Sequence, residues 1–186
     1  MTTATLPAPD VTPRPDEPTV GIIDLVPLRP IHAIELTGLA LAIDEVARGS
    51  DLTRYVRTRR WVLRRLGRPA VADRRTYVVR HAGRVVGLVL LDNLRRGRVC
   101  TAELTVIVDA GAAEVVGEHA AQAAVAQALA LGLHRLEAAV LPDDASGLAR
   151  FATAGFTAVG LARGYRLVAG QWRDHVLLER LVTERA

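Results

Sequence analysis

The sequence has no lysine: all 24 of its basic residues are arginine, and alanine, valine and leucine dominate the rest. That bias points to a high-GC coding sequence more than to any chemistry. Cysteine is nearly missing too. Cys100 stands alone, which excludes an internal disulfide and a cysteine metal cluster, so no metal is expected and the expected compartment is the cytoplasm. Half of the residues are hydrophobic and mean hydropathy is +0.20, yet no uninterrupted apolar run approaches the roughly 20 residues of a membrane span. No membrane partner is expected. The opening MTTATLPAPDVTPRPDEPT has neither a charged n-region nor an apolar core, so it does not read as a secretory signal.

The 186 residues suffice for one well-cored domain and fall short of two. Five of the nine prolines lie in residues 1–18, a composition that resists helix and sheet; these residues read as a disordered tail and 19–186 as the domain. A formal charge of +4 and a pI near 10.1 permit an anionic partner without requiring one. The hydrophobic surplus fits either a homodimer or a thick core.

Hydrophobic periodicity divides the domain. VGIIDLVPL (20–28) reads as a strand, 31–47 as an amphipathic helix stopped by Gly49, and about 52–66 as a second helix. The second helix carries Arg54, Arg57, Arg59, Arg60, Arg64 and Arg65 around Tyr55 and Trp61. It reads either as a solvated basic face or as a landing surface for a phosphate-rich cofactor or RNA, though no nucleic-acid motif accompanies the charge. A hairpin turns at Ala82-Gly83. In VCTAELTVIVD, Cys100, Ala102, Leu104, Val106 and Val108 face one way, and Thr101, Glu103 and Thr105 the other. An Ala-rich helix (112–131), a strand (HRLEAAVL), a short helix (about 144–154) closed by Gly155 and a final hairpin at Ala169-Gly170 follow. The order predicts an α+β fold, a mixed sheet flanked by helices.

Four stretches, AELTVIVD, GLHRLEAAVLPDDAS, ATAGF and GQWRDHVLLERL, together with this element order, resemble the GNAT superfamily of N-acetyltransferases, and most of all its ribosomal-protein-alanine branch. The resemblance implies a mostly antiparallel mixed sheet and acetyl-CoA as co-substrate, bound where two parallel strands splay apart. It places the backbone of Val106, Ile107 and Val108 against pantetheine, and Gly111, Val115, Val116 and Gly117 around the pyrophosphate. The turn itself departs from the family pattern: it is about two residues short, Ala112, Ala113 and Glu114 stand where a glycine-containing turn is expected, and no arginine in 99–134 offsets Glu114 and Glu118. Asp144 stands where the family usually has Asn on the CoA arm; Ser146 lies one position before the usual Ser, whose place Gly147 takes. Asp143, Asp144 or Ser146 could equally cap the helix. Phe151 replaces the frequent thiolate-protonating Tyr, which leaves that role to water or Ser146.

The resemblance implies Glu103 as general base, taking the ammonium proton of an amine acceptor; alternation alone would also make it the solvent face of a strand. His119, His134 and His175 are weaker candidates, and Asp174 and His175 are expected to support the acceptor side. The leading expectation is direct acetyl transfer to an amine-bearing substrate, a peptide N-terminus or a small molecule. The alternatives are a GNAT-like domain acting as a binding or regulatory module or using another acyl donor, and RNA binding through the Arg-rich helix. Nucleic acid is the least supported partner.

Overall fold

Seven stretches in which β-branched and apolar side chains recur form one sheet in the computed structural model, which describes residues 23–32, 35–36, 73–109, 112, 114–168 and 170–182. The expected tail (1–18), most of the expected helix 31–47, the Arg-rich helix at 52–66 and Gly111 lie outside the described residues. The strands are β1 (Ile23–Pro27), β2 (Arg75–His81), β3 (Arg84–Arg95), β4 (Thr101–Val108), β5 (Arg135–Val140), β6 (Thr157–Val168) and β7 (Gln171–Leu181). Two helices, α1 (Glu114–Ala130) and α2 (Ala145–Thr153), follow β4 and β5. A 3-10 turn at Pro30–His32 follows β1.

The strand order is β1-β2-β3-β4-β5-β7-β6. Every pair is antiparallel except β4 with β5, which is parallel and therefore needs the crossover that α1 supplies. The fold is thus α+β, as the periodicity predicts. Local chemistry sets the turns. Ala82 and Gly83 both adopt positive φ (49° and 77°), the geometry of a two-residue hairpin whose twist matches its strands. Gly132 (φ 71°) ends α1 and Gly155 (φ 77°) ends α2, at the positions where a left-handed residue closes a helix.

The main core lies between the sheet and the two helices. Val116, Gly117, Ala120, Ala121, Ala124, Val125 and Ala128 make the buried stripe of α1, and its small side chains let the helix lie close on Leu104, Val106, Leu136 and Ala138. Phe151 and Phe156 anchor α2 to this core, their rings edge to face at 5.1 Å. A smaller cluster, Leu28, Leu36, Val78, Leu88 and Leu90, covers the opposite face near β1 to β3.

Candidate active site

The parallel strands β4 and β5 pair only from Thr101↔Arg135 to Glu103↔Glu137; beyond that register they part. Backbone direction along β4 tells which groups face the gap. Cys100's carbonyl accepts from the amides of His134 (2.7 Å) and Arg135 (3.1 Å), so it points toward β5. With a two-residue period, Ala102, Leu104, Val106 and Val108 turn their main-chain groups to the same edge. The Glu103↔Glu137 pair still engages Leu104's amide with β5; past it this edge has no strand partner, and Leu104's carbonyl and Val106's main-chain groups offer it to the cleft. Ile107 faces the other way: Asp109's amide donates to Val86 O on β3 (2.8 Å), and Ile107's carbonyl lies against Gly87 so closely that a Cβ there would clash. Of the three residues expected to meet a pantetheine through the backbone, Val106 and Val108 therefore have the required direction, whereas Ile107's groups are directed to β3.

Between β4 and α1, Ala112's amide donates to Asp109 O (2.9 Å). Helix α1 opens with Glu114, exposed, and Val115, half-buried; Val116 and Gly117 are buried beneath. Opposite, Asp144 caps α2, its Oδ1 accepting from the Gly147 amide at 2.8 Å. Of the three residues that could cap, Asp144 does so. Gly147 fits this cap closely: an added Cβ would press on the Asp144 carboxylate and stand 2.9 Å from Val140 Cγ1, so one of them would have to shift. Ser146 is half-buried in the first turn of α2.

A residue with no assigned role completes the cleft. Arg150, on the inner stripe of α2 with Gly147, Phe151 and Ala154, extends across to α1. Its Nε stands 2.5 Å from where a Cβ of Gly117 would be, and its Nη1 donates to Val106 O at 3.4 Å. Arg150 Nε is fully buried and finds no hydrogen-bond partner among the described residues. Burial lowers the Arg150 pKa; Asp144, Glu114 and Glu118 pull in the opposite direction. Three positions singled out in the sequence, Val106, Gly117 and Asp144, are thus gathered around one guanidinium. The signal was present in the sequence: an arginine on the stripe of α2 that otherwise carries Gly, Phe and Ala.

Glu103 sits at the last paired position, at the vertex of the splay, on the sheet face away from α1. Its carboxylate is ion-paired with Arg166 of β6, and its Oε2 accepts from Asn93 Nδ2 at 3.3 Å. On the same face a pocket of about 140 Å³ is lined by Glu103, Glu137, Ala139, Val159, Tyr165 and Leu177, among others. Arg135 bridges Glu137 (3.1 Å) and Glu179 (2.6 Å) beside it. Glu103 therefore faces a pocket rather than open solvent, on the other side of the sheet from Arg150.

The other expected residues divide. His175 is buried on β7, its ring 5.7 Å from that of Tyr165 and its Nδ1 3.1 Å from Arg173 O. Burial lowers its pKa, and Arg166 and Arg173 add to the effect. Asp174 accepts from the Gly164 amide at 2.7 Å, bracing the β6–β7 hairpin. His119 is exposed on α1, bonded to Val115 O, and His134 is exposed beside β5. Phe151 is core.

Known proteins carry this architecture. A family model described as an acetyltransferase (GNAT) domain matches residues 42–177. Among solved structures, RimJ of Mycobacterium smegmatis, in complex with a CoA disulfide, superposes with a TM-score of 0.76 at 22% identity, over 87% of this chain and 82% of that one. Ribosomal-protein-S5-alanine acetyltransferase of Vibrio fischeri gives 0.73 at 17%, over 87% and 93%. Spermidine N-acetyltransferase of Vibrio cholerae, in complex with CoA and spermine, gives 0.71 at 15%, over 86% and 95%. A search of curated protein sequences finds no significant match.

Proposed function

The chain belongs to the GNAT acetyltransferase family, and from that premise we propose that it moves an acetyl group from acetyl-CoA directly to the primary amine of a peptide N-terminus or a small molecule. The observation that carries this reading is the splay of β4 from β5, which leaves an edge of main-chain groups without a strand partner and ends at a carboxylate. The residues present suit such a donor. Leu104's carbonyl and Val106's amide and carbonyl turn to the gap, and the start of α1 presents helix N–H groups at its mouth. Acetyl-CoA, when bound, supplies the thioester carbonyl that an amine can attack.

The chain's own residues would do the rest. Glu103, set at the vertex and held by Arg166 and Asn93, receives the proton that an ammonium acceptor must lose before it is a nucleophile. The pocket beside it, with Glu103 and Glu137 on its wall and Val159 and Leu177 as apolar lining, suits an amine carried on an aliphatic stem. Ser146, in the first turn of α2, is the hydroxyl proposed to meet the leaving sulfur.

Titration of acetyl-CoA into the full chain, with desulfo-CoA as control, tests the donor side. Micromolar binding of both supports it, and the absence of heat at millimolar ligand would sink it. The base is tested by Glu103→Gln, which should lower turnover with an amine acceptor by about 100-fold or more while leaving acetyl-CoA affinity unchanged. Equal turnover by the variant removes Glu103 from the reaction. One observation favours a second reading, a GNAT domain that binds another acyl carrier or has turned to binding alone: α1 carries Glu114 in its first turn and Glu118 one turn on, near where a diphosphate would lie.

A further inference from the structure

The cleft presents a puzzle of charge. Its α1 side begins with Glu114, continues with Glu118, and faces Asp144 across the gap; three acids surround the place where the donor's most anionic part would enter. Like charge at a helix N-terminus opposes anion binding. Yet the same three acids act electrostatically on one side chain, Arg150, which comes from α2, the wall that Asp144 caps and that faces Glu114 and Glu118.

Arg150 is placed unusually. It lies on the inner stripe of a nine-residue helix whose buried positions are Gly147 and Phe151, continued by the buried C-cap Ala154. Its guanidinium packs on Gly117, one turn into α1, at a point that any larger residue would obstruct: an added Cβ would stand 2.5 Å from Nε, 3.1 Å from Cζ and 3.2 Å from Nη2. Nη1 donates one long hydrogen bond of 3.4 Å, among the described residues, to Val106 O on the open edge of β4. Nε is buried without a partner among the described residues. A guanidinium has five N–H donors in a planar fork, stays charged, and is costly to bury with donors unmet. Such a group suits a ligand with several acceptor oxygens and negative charge.

We propose that Arg150 is the cationic anchor for the donor's diphosphate, a role it takes from the α2 wall because the short turn before α1 carries an acid where the anion must sit. The inference rests on the acetyl-CoA reading above. It gives Gly117 a purpose: the missing side chain leaves room for the guanidinium to lie within reach of the helix N-terminus. It also explains how Glu114 and Glu118 can remain at the mouth, since Arg150 offsets their charge and is itself available to bound phosphates.

The test compares CoA with pantetheine, which lacks the diphosphate and nucleotide, by titration calorimetry on the full chain. The variants are Arg150→Met, Arg150→Lys and Gly117→Ala, each checked for folding by its melting transition. Wild type should bind CoA more tightly than pantetheine. R150M should weaken CoA roughly 10- to 100-fold, the worth of a charge-assisted bidentate contact, and leave pantetheine unchanged. R150K should fall between, because a point charge remains without the fork. G117A, which adds a methyl group without removing a charge, should weaken CoA by pushing the guanidinium from its seat. If R150M fails to fold, R150K and G117A still decide. Unchanged or tighter CoA binding in the folded variants would overturn the proposal and make Arg150 a structural plug, with the donor reading intact. Wild type that binds neither CoA nor pantetheine would overturn both.

Discussion

His32 and His175 show how two residues can make the whole protein sensitive to acid. Both are buried, and in both burial is the largest cause of a pKa below the ordinary 6.5; Arg80 and Arg29 add to it for His32, against Glu35, and Arg166 and Arg173 for His175, against Asp174 and the Arg173 carbonyl. His32 Nδ1 accepts the Arg29 amide at 3.0 Å, which requires the ring to be unprotonated at that atom. A lowered folded pKa means that, between it and 6.5, the unfolded chain binds more protons than the folded one, so stability rises with pH across that window and is flat above it. Denaturant melts should therefore lose stability as pH falls from 7 toward 5. His175→Gln should flatten part of that slope. A slope identical in wild type and H175Q would show that His175 does not contribute. The same region bears on the site, for Arg166 lies between His175 and Glu103.

Among the elements, α2 depends most on single side chains. It has nine residues, too few to hold as a helix without tertiary packing, and its ends are secured by a capping carboxylate and a left-handed glycine. Asp144→Ala removes the bond to the Gly147 amide and should cost about 1 kcal/mol of unfolding free energy. Gly155→Ala meets two obstacles, φ of 77° and Arg180 Nη1 2.9 Å from the new methyl, and should cost on the order of 1–2 kcal/mol. Urea unfolding reads both values, and stability equal to wild type in D144A would remove the cap from the account. Helix α1 responds in the opposite sense. Alanine is the better helix former by about 1 kcal/mol, so Gly117→Ala should hold or raise stability wherever Arg150 can move aside, even as it disturbs the cleft.

At the scale of the molecule, the sheet is held as one body on both sides of its opening. β3 pairs with β4 along most of its length, β5 pairs with β7 throughout, and only the parallel β4–β5 pair is short. The cleft therefore exists because two well-supported halves meet at three residue pairs, so it needs no mobile lid to form. Hydrogen exchange should report this directly. Adding CoA should slow exchange at the Val106 amide, on the open edge, and leave the Ile107 amide, directed to β3, unchanged. Equal slowing at both would mean general tightening instead of edge pairing. A ligand at about 100 times its Kd should add roughly 2.7 kcal/mol to unfolding, visible as a raised melting temperature.

Periodicity and turn residues alone determined most of the architecture: strand alternation from β2 to β7, the Ala-rich helix, a short α2 stopped at Gly155, and the hairpins at Ala82-Gly83 and before Gln171, while the choice of Asp144 among three possible caps of α2 came from the fold. These depend on interactions within a few residues, so the sequence carries them. It also marked Glu103, which the fold sets at the vertex of the splay, and the acids at the head of α1. What it could not carry was contact across the sheet. Strand alternation gives the direction of a side chain but does not say which backbone edge loses its neighbour, and that separates Val106 from Ile107. Nor does an arginine in a short helix reveal that its guanidinium crosses to a glycine 33 positions earlier. Read along the chain, residues 99–134 lack a positive charge near Glu114 and Glu118; the fold brings one from Arg150, because the crossover that makes β4 and β5 parallel also sets the start of α1 against the inner face of α2.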